Sequence, residues 1–283
     1  METHRLHAEL LSREVRILVV GCGGTGSAIL GGLPYLHQAM LAQGHPCGLS
    51  VTVMDGDDVS PFNCVRQPFS RSEIGLNKGI VLMSRINLFW GLNWKAIPRP
   101  LTSETLTPPY GGPGESARRP DVVVGCVDTR AARAIISENT AGRSGVGYWL
   151  DVGNSASTGQ FILGEPQNAR NKRSRTRLRT VAELYSEVAD PALDVDTEPS
   201  CSAVEALDRQ ESFVNTVLAQ HTLALLARLF RYGEVRHHGA FVDIAASRSI
   251  PLAIDPLRWH RTKRREASKG RSATVDHRRG IIR

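Results

Sequence analysis

The sequence lacks the features of membrane-spanning and secreted proteins. It has no run of about eighteen apolar residues, which excludes an ordinary transmembrane helix. Its first fourteen residues mix charges of both signs without an apolar signal core, so we expect a cytoplasmic protein with no membrane contact. The five cysteines are odd in number, irregularly spaced and without a Cys-x-x-Cys pair. This pattern argues against a disulfide framework and against a thiolate zinc site.

Excess positive charge is confined to the end of the chain. The formal net charge is +7, but residues 258–283 alone carry ten Lys and Arg side chains against two acidic ones. The preceding residues are therefore close to neutral. The tail contains Gly and Ser and few apolar residues, which predicts disorder. A basic tail can contact nucleic acid, but a solubilising or docking role is favoured.

With 283 residues, of which 41% are hydrophobic and 22% charged, the chain can bury one sizeable core. Short apolar strands alternate with helical patterns through about residues 15–147, which form the nucleotide-binding half. This alternation predicts an α/β fold, a doubly wound, Rossmann-like and mostly parallel sheet. Ligands bind beyond the carboxyl ends of the strands in such sheets. The predicted strands are 16–20, 51–54 and 121–126, and the predicted helices are 27–41 and 78–89.

The sequence pattern of the second half, about residues 148–257, predicts a C-terminal helix and strand extension that contacts a partner. Together the two halves, residues 1–257, form one domain. Residues 170–179 hold six basic side chains and no acid, whereas 183–198 hold six acids and no base. A mobile, solvated segment and a loop that closes over a partner explain these blocks equally well. The other predictions are strand-like residues 148–164, a long Leu-rich helix over 204–232 with Gly233 as its cap, surface histidines at 237–238, and closing strands over 239–252.

A glycine-rich loop, Gly21-Cys-Gly-Gly-Thr-Gly26, follows the first predicted strand. Gly21 and Gly23 permit backbone approaches that a Cβ would block. The amides at the start of the following helix can then hold phosphate. Asp55, at the end of the second strand, is placed to bind ribose hydroxyls. A nicotinamide or flavin dehydrogenase shares both features, so they predict a nucleotide but not its chemistry.

The polar residues downstream of Asp55 favour adenylation. When a carboxylate attacks the α-phosphate of ATP, fixed cations must neutralise the charge that develops on the phosphate oxygens. Arg66 offers a planar fork and Lys78 a point charge. Asp128, after another strand, supplies an oxygen ligand for Mg²⁺. Asp57 is the neighbouring acid that we expect to face the same site.

These motifs resemble those of the ThiF/MoeB/HesA group and of the adenylation domains of ubiquitin-activating enzymes. The resemblance runs from about Val15 to Pro256 and is most specific through Asn87. It is carried by Gly-x-Gly-Gly-x-Gly, Asp-x-Asp-x-Val-x-x-x-Asn-x-x-Arg-Gln, Gly-x-x-Lys and Arg-Ile-Asn. The positions that match the family's nucleotide site are Gly21, Gly23, Gly24, Gly26, Asp55, Asp57, Asn63, Arg66, Gln67, Lys78 and Asp128.

The resemblance implies function as well as fold. It implies ATP and Mg²⁺ as cofactors, with Asp55 at the ribose, Asn63, Arg66 and Lys78 at the phosphates, and Asp128 at the magnesium. It implies a homodimer and a small ubiquitin-like, β-grasp partner whose C-terminus is adenylated. The second half is most similar to the ThiF-related proteins of PRTRC plasmid cassettes, through Trp149–Asn154, Gly159-Gln160, Pro199–Leu207 and Asn215. Thr129 departs from the Asp-Asn pair that is usual in relatives.

Cys201 is the candidate nucleophile. Relatives place a cysteine between the charged segment and the long helix, where it captures the activated carboxyl. A thiolate near a helix N-terminus or a basic block has a lowered pKa and can attack an acyl-adenylate. A structural, half-buried cysteine at a helix entry is an equally good interpretation.

Two other functional classes remain open. An NAD(P)-dependent oxidoreductase shares the glycine loop and Asp55 but leaves Asn63, Arg66 and Lys78 unexplained. A non-catalytic scaffold keeps the pocket and binds a partner or DNA through the basic tail.

Overall fold

A computed structural model describes residues 2–104, 119–142, 145–169, 171–174, 176–194, 211–257 and 259. Its main feature is an eight-stranded sheet with five parallel strands at one side and three antiparallel strands at the other. The strands are β1 (His4–Arg5), β2 (Val15–Val20), β3 (Leu49–Met54), β4 (Lys95–Ile97), β5 (Val122–Gly125), β6 (Tyr148–Asn154), β7 (Thr158–Gly164), β8 (Glu234–Val235), β9 (His237–Asp243) and β10 (Arg248–Ala253).

Strand order in the large sheet is β10-β9-β7-β6-β5-β2-β3-β4, and β1 pairs separately with β8. The connections reverse direction between β2 and β5, which is the switch point where such sheets bind ligands. The predicted doubly wound, mostly parallel sheet is thereby confirmed. The helices are α1 (Gly24–Ala42), α2 (Asn63–Arg66), α3 (Lys78–Trp90), α4 (Arg130–Thr140), α5 (Val181–Leu184) and α6 (Val214–Tyr232).

The sheet is buried on both faces, as the continuous apolar strands require. Ile17 and Val19 of β2 belong to the larger core cluster with α1, α3 and α6. Leu18 and Val20 point to the other face and pack with Ile136 of α4. None of the helices in the described ranges combines the length and apolar character needed to cross a membrane.

The long helix α6 packs its leucines against α1 inside the chain. Leu218, Leu226 and Leu229 are fully buried, which confirms the predicted apolar face. These leucines are therefore not available as a dimer surface. Gly233 ends the helix with a φ of 66°, as a left-handed cap. The portion of the predicted helix before residue 211 lies outside the described residues.

One prediction in the second half is wrong. The histidine pair is not in a surface turn, because it lies in β9 and His238 is fully buried. Burial lowers the pKa of His238 to about 4, so its ring, which donates to the Leu163 carbonyl, is neutral at pH 7. Of the two interpretations of the charged blocks, a fully solvated segment does not fit the described residues, because Arg177 is buried and binds Glu183. The Pro- and Gly-rich residues 107–120, for which the sequence predicts a loop, lie outside the described residues except for 119–120, and the basic tail 258–283 does so except for residue 259.

Candidate functional site

The glycine loop leaves β2 and enters α1 beside the switch point. Helix α1 begins at Gly24, three residues earlier than predicted, so that its first turn lies within the glycine motif. Gly21 has a φ of +91°, and a Cβ there would lie 2.5 Å from the Cys126 carbonyl oxygen. A Cβ at Gly23 would meet no atom within 4 Å, so that glycine faces open space. The first amides of α1 therefore border a cavity in which an anion can bind.

Asp55 is held at the end of β3 by two backbone amides. One carboxylate oxygen accepts from the Cys22 amide, and the other accepts from the Asp57 amide at 2.7 Å. Burial raises the pKa of Asp55, although these hydrogen bonds oppose the shift. The carboxylate thus lies directly beside the glycine loop, at the height where a nucleotide ribose would lie.

Lys78 begins α3 and is buried, with only 7% of its surface exposed. Its Nζ lies 2.9 Å from Asp57 Oδ2. The helix start is fixed by Asn77, whose side chain accepts from the Ile80 amide and donates to the Asp55 and Asp57 carbonyls. This bracing holds the ammonium group at the cavity wall.

Arg66 ends the short helix α2, and Arg66 and Gln67 both line the cavity. Two matched positions do not line it. The Asn63 carbonyl Oδ1 accepts from the Ser60 amide at 2.8 Å and from the Ser60 hydroxyl, so it stabilises the turn that presents Arg66. Gly26 is buried in α1 against the Gly21 carbonyl, where any Cβ would clash.

Asp128 follows β5 and is exposed at the mouth of the cavity. Thr129 caps α4 by accepting from the Ala132 amide at 3.2 Å, so the departure from Asp-Asn has a structural use. Among the described residues, no three His, Cys, Asp or Glu side chains are grouped to hold a metal ion. A Mg²⁺ ion that travels with nucleotide phosphates needs only one or two protein carboxylates, which Asp128 fits.

The far wall of the cavity contains residues that the motifs did not predict. Arg133 of α4 is buried and donates from Nε to Asp151 Oδ1 at 3.0 Å. Asp151 is fully buried in β6, and its burial raises its pKa to about 6 although Arg133 opposes the shift. The sequence signal that could have found this pair was Asp151 itself, a charged residue within the otherwise apolar strand residues 148–152. The sequence resemblance had noted Asn154, Gln160 and Asn215, but without a role.

Together these residues enclose a cavity of about 650 Å³, a size that suits a nucleotide. Its walls bring together Gly21, Gly23, Gly24, Asp55, Asp57, Arg66, Gln67, Lys78 and Asp128 from the predicted set. The remaining predicted residue, Cys201, lies outside the described residues. The added wall residues include Thr25, Cys126, Arg130, Arg133, Asn154, Gln160, Val188 and Asn215.

The segment that carries the acidic block is attached at this cavity. The Asp194 carboxylate accepts from the Arg130 and Ala131 amides, both at 2.9 Å. These amides are the free donors at the start of α4, which an acid satisfies well. On the far side of the undescribed stretch 195–210, the Glu211 amide donates to the Ala156 carbonyl at 2.9 Å. Val188 lines the cavity directly.

A second, largely apolar groove of about 620 Å³ adjoins the cavity and shares Gly24, Arg66, Gln67 and Asn215 with it. Its exposed aromatic side chains include Phe89, at 80% exposure, and Phe213, at 76%. Its other apolar residues include Val65, Leu82, Ile86 and Trp90.

Comparison with known proteins supports the predicted family. The sequence model of the ThiF family matches residues 8–252. The fold is similar to that of E. coli MccB with ATP, at a TM-score of 0.54, and of E. coli MccB with MccA, at 0.55. It is also similar to that of PaaA, at 0.52.

Sequence identity to these structures is low, 14% for MccB with ATP and for PaaA and 15% for MccB with MccA. The similarity covers 85–86% of this chain but only 64–65% of each of those chains. No curated protein matches the chain. The structures therefore support the fold, and the family match spans most of the sequence. The chain belongs to the ThiF family.

Proposed function

We propose that this protein uses ATP to adenylate the carboxylate of a partner protein. The observation that carries the proposal is that Arg66, Lys78 and Asp128 line the same cavity as the glycine loop and Asp55. A carboxylate oxygen forms a bond to the α-phosphorus, and the bond from that phosphorus to the bridging oxygen breaks. Pyrophosphate leaves with the electron pair, so the step needs charge neutralisation rather than a general base.

Each wall of the cavity supports one part of this reaction. The α1 amides hold phosphate, and Asp55 accepts from the ribose hydroxyls. Arg66 and Lys78 neutralise the phosphate oxygens, while Asp128 provides an oxygen ligand to Mg²⁺. Gln67 and Asp57 complete the polar wall, and Asn63 acts through the turn that presents Arg66.

For the partner, we propose a small ubiquitin-like protein with a free C-terminus. Family membership and the similarity of the second half to PRTRC-type ThiF proteins support this choice. The MccB structures, which were determined with ATP and with MccA, are consistent with a nucleotide and a separate partner. We also propose a homodimer, in which a second copy covers the apolar groove at Phe89 and Phe213.

A second step on Cys201 belongs to the same proposal. The Cys201 thiolate would attack the carbonyl carbon of the acyl-adenylate, form a thioester and release AMP. The chain between Asp194 and Glu211, which includes Cys201, starts and ends beside the cavity. Seven extended residues span up to about 25 Å, which is long enough for the chain from Asp194 to bring the Cys201 thiol to the cavity.

Replacing Cys201 by Ala is expected to leave adenylate formation unchanged and to abolish a thiol-sensitive adduct with the partner. Cys47→Ala is the matched control, because Cys47 is an exposed free thiol outside the cavity. Non-reducing gels with and without a thiol measure the adduct, and pyrophosphate exchange measures the first step. Equal adduct in wild type and Cys201→Ala would remove Cys201 from the mechanism.

Two alternative functions predict different ligands. An NAD(P)-dependent oxidoreductase would bind NAD⁺ in the same cavity, but it gives no role to Arg66, Lys78 and Asp128. A non-catalytic scaffold would bind its partner or DNA through the tail, which includes residues 258–283, and would not need this set of polar side chains.

A thermal-shift titration distinguishes these functions. Mg-ATP at about 100 times its dissociation constant stabilises the fold by roughly 2.7 kcal/mol, which raises the Tm by several degrees. We expect this shift with Mg-ATP, none with NAD⁺, and loss of the ATP shift in Arg66→Ala. Arg173→Ala, an exposed arginine outside the cavity, is the control. A shift with NAD⁺ alone would establish the oxidoreductase instead, and no shift with either nucleotide would favour the scaffold.

A further inference from the structure

One buried cation in the cavity has no role in the scheme above. Arg133 lines the cavity and is fixed by its Nε bond to Asp151 of β6. Two strands, β5 and β2, separate β6 from β3, the strand that leads to Lys78 on the other side of the cavity. Its Nη1 reaches the Asp128 carbonyl oxygen at 3.4 Å. Among the described residues, Nη2 has no hydrogen-bond acceptor, although it borders the cavity. An arginine with two of its three nitrogens anchored presents the third in a fixed direction.

A second donor converges on the same point. Gly153 of β6 is paired with Gln160 of β7 across the two strands. A Cβ at Gly153 would lie 2.8 Å from Arg133 Nη2 and 2.7 Å from Gln160 Nε2. Both nitrogens therefore lie beside the same face of Gly153 and no more than 5.5 Å apart, close enough for one acceptor oxygen to receive hydrogen bonds from both groups. Only a glycine leaves that face open, because any side chain would start within 2.8 Å of both nitrogens.

The charge of the side chains around Gly153 suits a single carboxylate rather than a polyphosphate. The Asp151 carboxylate balances the Arg133 guanidinium, and the nearby side chains of Gln160 and Asn154 are neutral amides. The opposite wall, by contrast, supplies Lys78 and Arg66 for phosphate. The two ends of the cavity thus differ in the anion that they favour.

We propose that Arg133 and Gln160 hold the carboxyl group that is to be activated, with Asp151 as the residue that positions Arg133. This inference rests on the proposed adenylation. One carboxylate oxygen attacks the α-phosphorus, while the other accepts from Nη2 and Nε2. The second oxygen becomes the carbonyl oxygen of the acyl-adenylate and keeps the same two donors, so the geometry is set before the reaction.

The test compares two non-reactive probes, 5′-O-sulfamoyladenosine and its N-acetyl derivative, which adds the acyl group alone. Isothermal titration calorimetry gives the Kd of each probe and of ATP. We expect the acetyl probe to bind wild type more tightly than the parent sulfamate. Arg133→Met and Gln160→Leu should each lower that preference about tenfold, as for a lost hydrogen bond to a charged group, with the Kd of ATP unchanged.

Four further variants separate positioning and folding effects from binding. Asp151→Asn keeps the acceptor for Nε and should keep the acyl preference, whereas Asp151→Leu should lose it. Because an unpaired buried charge can unfold the protein, Arg133→Met with Asp151→Leu replaces the whole pair by apolar groups, which is often tolerated. This double variant should fold, bind ATP and show no preference. Arg130→Met, on the same helix and also in the cavity wall, should retain it.

Each remaining outcome contradicts a different statement. If ATP binds and the acyl preference is equal in wild type, Arg133→Met and Gln160→Leu, the carboxyl site is wrong and the adenylation proposal stands. If the variants weaken ATP as strongly as the acetyl probe, Arg133 is a phosphate ligand and the inference fails. If wild type binds neither ATP nor the probes, the proposed function is wrong and the carboxyl site is rejected with it.

Discussion

Replacing Lys78 by Met is expected to slow partner-dependent pyrophosphate exchange about 100- to 1,000-fold, the usual effect of removing one fixed donor from a developing oxyanion. The ammonium group is buried at the first residue of α3, and it forms an ion pair with the exposed Asp57 carboxylate. Polyphosphate can displace that carboxylate as the ion partner of Lys78. Because the chain keeps Lys78 in place before ATP arrives, little reorganisation is needed during the reaction.

The control for this substitution is Lys95→Met, which removes an exposed lysine of β4 outside the cavity and should leave exchange unchanged. Lys78→Arg should restore only part of the rate, since a planar fork does not reproduce a compact point charge. Exchange is measured with a partner that supports it in wild type. Equal rates for wild type and Lys78→Met would contradict a role for this lysine at the phosphates.

The meeting of the glycine loop, Asp55 and Asp128 at one cavity could be predicted because its signals are local. Glycines 21, 23 and 24 come just after an apolar strand, Asp55 directly follows β3, and Asp128 lies three residues after β5. In a doubly wound sheet, those strand ends meet at one edge, so the order of the elements is enough to bring the residues together. Arg66 and Lys78 could be added because the intervening segment is short and rich in motifs.

The far wall could not be predicted because it depends on tertiary contacts. Arg133 and Asp151 are eighteen residues apart on different elements, and nothing in either local pattern specifies their pairing. The Gln160 amide comes close to Arg133 only because β6 and β7 form an antiparallel pair that aligns Gly153 with Gln160. The sequence predicts the start of α1 three residues too late for a related reason. Glycines weaken a helix in isolation, but close packing favours them at this position.

The charged blocks at 170–198 illustrate the same limit. Blocks of like charge predict a mobile segment when each is considered alone, but here the two blocks have opposite signs and pair with each other. Arg177 donates to both carboxylate oxygens of Glu183 and to the Glu165 carbonyl oxygen. Arg179 adds a third arginine hydrogen bond to Glu183 at 3.0 Å. The pairing orders the residues that lead to Val188 and Asp194 at the cavity.

Arg177→Met is expected to lower the free energy of unfolding at pH 7 by about 3–5 kcal/mol, as for other broken buried ion pairs. The side chain is only 1% exposed, and its loss leaves the Glu183 carboxylate and the Glu165 carbonyl without their main donor. Urea denaturation measures the change. Arg173→Met is the matched control, because Arg173 is an exposed member of the same basic block, and its removal should change stability by less than about 0.5 kcal/mol.

The effect should depend on pH in a direction that Glu183 determines. Burial alone would raise the pKa of Glu183, but the Arg177 side chain, the Thr180 amide and Arg179 together lower it to about 2. The stabilisation is thus complete above pH 4.5 and is lost as the pH falls from there toward 2. The difference between wild type and Arg177→Met should shrink over that range, while Arg173→Met follows wild type throughout. A difference that stays constant down to pH 2 would mean that Arg177 acts by packing, and the cavity-side segment is then held by apolar contacts of Leu178 and Val181 rather than by charge.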